Sequence, residues 1–254
     1  RQDAAGLVDA LQHSNRLWRR HAQRLLVERG NLDVVPALIG LLQDESIDAT
    51  GNHPAAVHAL WTLQGLGALD DVTTAAAQAV RVALQHPAAG VRRNAALVLP
   101  HQQAAGEWLV AAGLTRDREA QVRLAALLAL ADMPTDAGIG KHLAEVAQTN
   151  GLMQDATLKE AVICAAAMHS AGFLDGLLAM DATVSADEAE AVRVVAEHWA
   201  RSSVADDALE RLLRGLAAGR PALIMPVIEG LVEGWPPGTQ PALSAASEQA
   251  LQEL

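Results

Sequence analysis

Apolar positions recur every three or four residues within short segments of this chain, and polar, Gly or Pro residues separate the segments. Residues 15–26 show the pattern best: Trp18 is followed directly by Arg19, Ala22 comes three positions later, and two leucines follow. This spacing predicts an amphipathic helix, because 3.6 residues per turn bring such positions onto one face. Similar segments recur at intervals of 31 to 39 residues, which indicates an internal repeat.

Helix start and stop signals divide this pattern into pairs of helices. Asn15 is suited to the N-cap of the helix that follows it, Gly30 to its end, and Pro36 to the first turn of the next helix. Pro226 is expected to interrupt the second helix of the last pair. The chain is therefore predicted to be a single repeat domain, 1–254, of about seven helical hairpins. The approximate repeats are residues 4–30, 32–69, 72–100, 103–133, 135–169, 172–201 and 204–234, followed by a capping helix over residues 240–254.

A basic residue recurs at one register of the second helices, directly after an apolar residue. We name these positions the basic ladder: Arg19, His58, Arg92, Arg123, Lys159 and Arg193. In most repeats Ala follows three positions later, where a small side chain lets neighbouring helices approach closely. A cation in the first turn of a helix is disfavoured by the helix dipole, so its recurrence needs another reason. We expect each ladder residue to bond to a carbonyl or carboxylate of the adjacent repeat and so to hold the repeats together.

Composition narrows the fold class to all-α. Hydrophobic residues make up 51% of the chain and are mainly Ala, Leu and Val, with no Tyr and a single Phe. Ala and Leu are strong helix formers, and the Ile, Thr and Tyr that strands prefer are scarce. No apolar run approaches the roughly 18 residues of a membrane span. Together with the repeats, this predicts an α-α superhelix, or solenoid, with no membrane span.

The net charge of −11 is unevenly distributed. Residues 1–127 carry 12 basic and 12 acidic side chains, whereas residues 128–254 carry 7 and 18. This acidic excess argues against general binding to nucleic-acid phosphates. For the second half, a solvated acidic surface that aids solubility is favoured over a surface that attracts a basic partner.

Three second helices match the pattern V-R-x-x-A-x-x-A-L: VRRNAALVL from Val91, VRLAALLAL from Val122 and, less closely, VRVVAEHWA from Val192. VPALIGLLQD from Val35 is similar to the first helix of the same kind of repeat. The chain resembles HEAT-repeat proteins over nearly its whole length, although it departs at Trp61 and in the last repeat, which lacks the basic residue. The resemblance implies a HEAT-like, armadillo-type solenoid. In HEAT families the second helices line a concave surface that binds proteins or peptides.

A narrower resemblance covers LWRRHAQRLLVERG from Leu17 and HALWTLQGLGALD from His58. These segments are similar to the HEAT region of membrane-bound dehydrogenases and haem-binding CxxCH multidomain proteins of the planctomycete and verrucomicrobial type. In that family a sugar-dehydrogenase-like β-propeller precedes the repeats and a c-type cytochrome domain follows them. This sequence has no CxxCH and no strand-rich segment, so the resemblance transfers no catalytic residue. It implies a spacer module that positions redox domains of an exported protein.

Arg16, Arg20 and Arg24 form a basic stripe at i, i+4 and i+8 on one helix face. One interpretation is contact with a partner, including a phosphate backbone as in helical-repeat DNA glycosylases. The other is a solvated stripe with local salt links, which Glu28 and the other nearby acids favour. Trp235, which precedes two prolines, is the remaining candidate for contact with a partner.

The other chemistry-bearing residues are expected to be structural. Indoles at apolar positions are predicted to pack in the core: Trp18, Trp61, Trp108 and Trp199. His13, His53 and His86 fall in predicted loops that successive repeats bring to one edge. Because no metal-binding spacing such as HExxH occurs, they are predicted to be exposed. Cys164, in an apolar segment, is predicted to be a small buried residue rather than a nucleophile.

The predicted function is a non-catalytic helical-repeat scaffold that binds a protein partner or adjacent domains of the same polypeptide. We expect no cofactor, metal or catalytic residue in this segment. The spacer module of a c-type-cytochrome dehydrogenase is the alternative, and nucleic-acid binding, which the charge disfavours, is the third. The scaffold hypothesis predicts a cytoplasmic protein and the spacer hypothesis an exported, periplasmic one. No leader pattern follows Arg1, although the sequence leaves open that a leader was removed or that the chain is an excised segment. The sequence predicts no oligomeric state.

Overall fold

The Ala- and Leu-rich segments form helices in a computed structural model, which describes residues 3–149, 151–180, 184–202, 206–218, 221–239 and 243–253. Within these ranges the regular structure consists of α-helices and short 3-10 helices, and no β-strand occurs. The all-α prediction is therefore confirmed. By its contacts the chain divides into two units, Arg1–Ala129 and Leu130–Leu254, which we name unit 1 and unit 2.

Unit 1 contains helices that pair along the chain. They are α1 (Ala4–Ala10), α2 (Arg16–Arg29), α3 (Val35–Gln43), α4 (Pro54–Gly65), α5 (Ala75–Ala83), α6 (Ala89–Leu97), α7 (Gln103–Ala111) and α8 (Ala120–Ala131), the last of which crosses the boundary between the units. Chain neighbours pack as α1 with α2, α3 with α4 and α5 with α6. Alternate helices also pack, as α2 with α4, α4 with α6 and α3 with α5.

Local signals set the bounds of α2 as the sequence predicted. The side chain of Asn15 accepts a hydrogen bond from the backbone N–H of Leu17 at 2.8 Å. Gly30 ends the helix with φ of +63°, a left-handed conformation that glycine adopts without a steric penalty. Pro36 lies in the first turn of α3.

Unit 2 repeats the pairing. Its helices are α9 (Ala137–Ala147), α10 (Ala156–Met168), α11 (Ser170–Ala179), α12 (Ala186–Arg201), α13 (Asp206–Ala217), α14 (Pro221–Gly234) and α15 (Ala245–Glu253). Chain neighbours pack as α9 with α10, α11 with α12 and α13 with α14. Between pairs, α10 packs on α12 and α12 on α14, while α9 packs on α11, α11 on α13 and α13 on α15.

Glycines bring two helix crossings of unit 2 into backbone contact. A Cβ added at Gly172 of α11 would lie 2.6 Å from the Cα of Ala137 in α9, and one added at Gly140 of α9 would lie 2.6 Å from the backbone N of Phe173. Gly230 and Gly234 of α14 meet the backbone of α12 in the same way. Such distances leave no room for a side chain, so these glycines set the spacing of α9 and α11 and of α12 and α14.

Several helix bounds differ from the predictions. Helix α11 begins at Ser170, two residues before the predicted repeat 172–201, and only His169 separates it from α10. Pro226 does not interrupt α14, which continues to Gly234. The predicted capping helix is α15, which begins at Ala245; the first residues of that prediction, 240–242, lie outside the described residues.

No single helix among the described residues is both long and apolar enough to cross a membrane. Helices α10 and α11 meet those criteria only as a pair, and the pair is bent by 106°.

Candidate partner-binding groove between α2 and α4

Three ladder arginines of unit 1 close the turn that precedes their own helix, so the prediction of a bond to the adjacent repeat is wrong for Arg19 and Arg123. Arg19 Nη1 donates to the carbonyls of His13 and Ser14 at 2.6 and 2.8 Å. Arg92 and Arg123 donate in the same way to the carbonyls six and five residues before them, at 2.8 and 2.9 Å and at 2.8 and 3.3 Å. We name this arrangement the turn clamp. It gives partners to carbonyls ahead of the helix and so offsets the unfavourable position of a cation near a helix start.

Arg92 also reaches the following helical pair, as the sequence predicted for a ladder residue. Its Nε and Nη2 donate to the two carboxylate oxygens of Asp117 at 2.7 and 2.9 Å, and both side chains are 9% exposed. Burial by itself raises the pKa of Asp117, but the hydrogen bonds from Arg92 and from the backbone N–H of Glu119 outweigh it and lower the pKa. The carboxylate of Asp117 is therefore ionised, and its bonds to Arg92 link the turns that precede α6 and α8.

The ladder residues of unit 2 contact the next second helix instead. Lys159 of α10 donates to Asp187 and Glu190 of α12 at 3.2 and 2.9 Å, and these hydrogen bonds raise the pKa of Lys159. Arg193 of α12 pairs with Glu233 of α14. These contacts use three of the acids that make unit 2 negative.

At the same register of unit 1, His58 links α4 to α2. Its Nδ1 donates to Oε1 of Gln23 at 2.7 Å. Burial, and then the positive charges of Arg19, Arg16 and Arg20, lower the pKa of His58 to about 4. The ring is therefore neutral near pH 7, and it senses a positive potential along α2.

A groove of about 650 Å³ lies between α2 and α4 on the side of α2 away from its buried residues Ala22 and Leu26. From α2 it is lined by Leu17, Arg20, His21, Gln23, Arg24, Val27 and Glu28, and from α4 by Trp61, Gln64 and Gly65. Its volume is within the range of about 300–1,000 Å³ that is usual for binding pockets. Leu17 at its rim is 58% exposed although it is a large apolar side chain.

Gly65 and Trp61 shape the groove. A Cβ at Gly65 would lie 2.8 Å from Cγ2 of Val27, so the glycine lets the end of α4 approach α2. The Nε1–H of Trp61 donates to Oδ1 of Asn94 in α6 at 2.8 Å, which holds the indole in place. Asn94 in turn donates to the carbonyl of Gly90 at 2.7 Å. The wall of the groove is therefore pre-formed by a chain of hydrogen bonds through α6.

The predicted arginine stripe borders this groove. Arg20 and Arg24 are lining residues, and Arg16 is exposed one turn before Arg20. Arg24 pairs with Glu28 at 3.5 Å, which is one of the local salt links that the sequence indicated. Among the described residues no carboxylate pairs with Arg16 or Arg20. The stripe is thus partly neutralised and keeps two cations facing solvent.

The tryptophans do not all behave as predicted. Trp199 is buried, and Trp61 and Trp108 are partly buried, but Trp18 is 53% exposed, so its predicted core position is wrong. Residues four apart drift by about 40° around a helix, which leaves Trp18 at the edge of the face that Leu26 buries. Trp235 is partly exposed, and its Nε1 has no hydrogen-bond partner among the described residues.

The prediction of exposed loop histidines is correct for His13 and wrong for His86, which is 4% exposed. The Nε2 of His86 donates to the carbonyl of Asp44 at 3.0 Å, and its Nδ1 accepts from the N–H of Ala88 at 2.9 Å. The ring of His53 stacks on it with centroids 5.6 Å apart, and its side chain is only 11% exposed, so the prediction is wrong for His53 as well. The loops of His53 and His86 thus meet as expected, and the imidazole of His86 acts as a structural hydrogen-bond partner.

Cys164 is exposed, so the prediction that it is buried is wrong. It follows Glu160 by one helical turn on the outer face of α10, although its immediate sequence neighbours are apolar and buried. The described residues contain no group of three or more His, Cys, Asp or Glu side chains that could hold a metal ion.

Sequence reasoning found the arginine stripe but missed the groove. The available signal was Leu17, an apolar residue that shares the polar face of α2 with Arg20 and Arg24 by its i, i+3 and i+7 spacing. The contribution of α4 depends on tertiary packing and has no comparable signal. Comparison with known proteins assigns no family, since no family model and no curated protein matches the chain.

Proposed function

We propose that this chain is a HEAT-like α-α solenoid that acts as a non-catalytic scaffold. In this proposal the groove between α2 and α4 binds a protein partner or an adjacent domain of the same polypeptide. The observation that carries the proposal is the groove itself, a pre-formed depression with an exposed apolar rim and two arginines along one wall.

The alternating contacts of the helices support the solenoid within each unit. The second helix of each pair contacts the second helix of the next pair. In unit 1 these contacts join α2 to α4 and α4 to α6, and in unit 2 they join α10 to α12 and α12 to α14. In α-α repeat proteins this neighbour-to-neighbour packing buries the core and leaves an extended surface along the second helices. The groove lies on such a surface, because both of its walls are second helices.

The character of the lining supports binding of a protein. Trp, Arg and apolar side chains are enriched at protein interfaces, and Trp and Arg dominate their binding energy. Trp61, Arg20 and Leu17 provide these three kinds of contact within one groove. A pre-formed wall lowers the entropy that is lost on binding.

A photo-crosslinking residue at position 17 of the full chain tests this function. Position 82 provides the matched control, because Val82 is also an apolar helical residue of unit 1, is 67% exposed, and does not line the groove. After irradiation in extract of the source cells, we expect covalent adducts with a discrete polypeptide, or with a neighbouring domain, from position 17 only. Identical adducts from both positions, adducts with nucleic acid, or no adduct from position 17 would contradict the proposal.

A further inference from the structure

We infer that the segment which occupies the α2–α4 groove is a peptide with apolar side chains flanked by aspartate or glutamate. This inference rests on the proposed function and names the chemistry of the partner. It follows from three features of the groove: the arginines along α2, its apolar depression and its size.

The first feature is the sign of the charge along α2. Arg16, Arg20 and Arg24 follow one another at single-turn spacing, and Glu28 is the only carboxylate among the lining residues. Glu28 pairs with Arg24 across exposed side chains, an interaction that contributes little stability and that a ligand carboxylate can replace. A partner carboxylate could form a bidentate hydrogen-bonded pair with the free guanidinium of Arg20, which is the geometry that arginine favours.

The low pKa of His58 is a second sign of positive potential at this place. His58 lies on α4 about one turn before Trp61 and bonds to Gln23, which lines the groove, and the charges of Arg19, Arg16 and Arg20 contribute to its pKa shift after burial. The neutral imidazole does not add to the positive charge or repel a cation. The potential that an incoming peptide meets is therefore that of the arginines.

The second and third features are the apolar depression between the two helices and its size. Leu17, Val27 and the indole of Trp61 contribute carbon surface to it, and Gly65 lets α4 approach Val27 closely. A volume of about 650 Å³ suits a few side chains rather than a whole domain. Apolar anchors at i, i+3, i+4 and i+7 of a short helix lie in grooves of this kind, with charged residues at the rim.

The combination distinguishes the ligand from a nucleic acid. A phosphate backbone would need several cations in a row and planar stacking surfaces for its bases. Among the described residues two arginines of the stripe, Arg16 and Arg20, lack a carboxylate partner, and the indole of Trp61 is partly buried in the wall. Carboxylates beside apolar side chains satisfy both parts of the groove at once.

Selection from a random peptide library displayed on phage, with the full chain as bait, tests the inference. We expect enriched peptides to combine Leu, Ile, Phe or Trp with Asp or Glu. An Arg20→Glu/Arg24→Glu variant should bind the selected acidic peptide at least about tenfold more weakly, because close charge pairs across an interface couple strongly. The same peptide with each acid changed to Lys should bind this variant and not the wild-type chain.

Arg93→Glu is the matched control, because Arg93 is an exposed arginine of α6 outside the groove. The affinity of this variant for the peptide should equal that of the wild type. Because Arg20 and Arg24 are exposed, all variants should keep the thermal unfolding midpoint of the wild type, which circular dichroism verifies. Increasing salt should weaken binding of the acidic peptide, because screening reduces the attraction between exposed charges.

Each other outcome overturns the inference. Enrichment of basic or uncharged peptides, the absence of any enrichment, or equal loss of binding in Arg93→Glu would each reject an acidic occupant. Self-association of the chain that Arg20→Glu/Arg24→Glu abolishes would assign the groove to a second copy. A protein adduct from position 17 together with a failed selection would reject the acidic peptide and retain the scaffold function. If position 17 forms no adduct, the proposed function itself fails.

Discussion

The two units place a cation at the same register of their second helices and use it differently. In unit 1, Arg19, Arg92 and Arg123 donate to carbonyls of the turn before their own helix. In unit 2, Lys159 and Arg193 pair with carboxylates on the next second helix. A recurring basic residue therefore does not have one structural role, even where the repeat pattern is the same.

The position of the cation within its helix accounts for the contacts of the arginines. Arg19, Arg92 and Arg123 all stand in the first turns of α2, α6 and α8, within reach of the preceding turn. Arg193 stands in the middle of α12, too far from the start of its helix to bond there. Lys159 is near its helix start, but its ammonium donates to two carboxylates of α12 rather than to the preceding turn.

Backbone contact is the second difference between the units. Gly140, Gly172, Gly230 and Gly234 bring helices of unit 2 so close that a Cβ would collide with backbone. In unit 1 the comparable helical glycine, Gly65, meets only a side chain of Val27, and Gly40 has open space around it. Unit 2 is therefore expected to be sensitive to glycine substitution, and unit 1 to loss of its arginine contacts.

The largest expected effect is in unit 1, on changing Arg92→Ala. This change leaves the buried carboxylate of Asp117 without its bidentate partner and removes one turn clamp. Breaking a buried pair by removing one partner costs about 3–5 kcal/mol of unfolding free energy. Urea denaturation followed by circular dichroism measures the loss, with Arg93→Ala as an exposed control that should remain near the wild type. Equal stability of Arg92→Ala and Arg93→Ala would remove the structural role of the ladder.

The next largest effect is expected in unit 2, for Gly172→Ala. The added methyl group meets the backbone of Ala137, which cannot move without separating α9 from α11. Overpacking of this kind costs about 1–3 kcal/mol. The matched change Gly40→Ala in α3 meets no atom within 4 Å and should instead stabilise the chain by about 0.5–1 kcal/mol, because alanine favours helix. Thermal unfolding measures the stability of both variants. A Gly172→Ala variant as stable as the wild type would contradict the close contact between α9 and α11.

Arg123→Ala separates the turn clamp from the buried ion pair. Arg123 donates to the carbonyls of Asp117 and Arg118, and no carboxylate pairs with it among the described residues. Its loss should therefore cost about 1 kcal/mol, the value of ordinary hydrogen bonds, and less than the loss of Arg92. A cost as large as that of Arg92→Ala in the same urea titration would show that the clamp, and not the pairing with Asp117, dominates.

The smallest effect concerns pH and His58. Its pKa in the folded chain is about 4, against an ordinary value of 6.5, so the unfolded chain binds the proton more tightly. The stabilising contribution is complete above about pH 6.5 and declines as the pH falls toward 4, by at most about 1 kcal/mol at pH 5 after solvent screening. His58→Gln, which keeps a donor for Gln23, should be less sensitive to pH in this window. If the free energy of unfolding depends on pH identically in the wild type and in His58→Gln, His58 is excluded as a source of the dependence.

The sequence predicted local features well because they depend on neighbouring residues. The N-cap at Asn15, the stop at Gly30 and the first turn at Pro36 follow from backbone hydrogen bonding and allowed dihedral angles. The register of the basic ladder likewise follows from the 3.6-residue period. Its partners could not be predicted, because Asp117 is 25 residues from Arg92 and Glu233 is 40 residues from Arg193.

Errors arose where exposure depends on which helix lies opposite. Trp18 shares the four-residue spacing of the buried Ala22 and Leu26 but lies at the edge of their face. Cys164 lies among apolar residues but faces outward with Glu160. His86 lies in a loop yet is buried, where the carbonyl of Asp44, 42 residues earlier in the chain, accepts a hydrogen bond from its ring.

The sequence by itself determined that the chain is helical, approximately where each helix begins and ends, and that a cation recurs at one register. These properties depend on propensity, capping and periodicity, which act over a few residues. Only the tertiary structure decided what each cation binds, which glycines let helices approach closely, and that Arg20 and Arg24 border a groove completed by Trp61 and Gly65. The physical reason is that a groove belongs to two helices at once, and α2 and α4 are adjacent in space but separated by α3 in the chain.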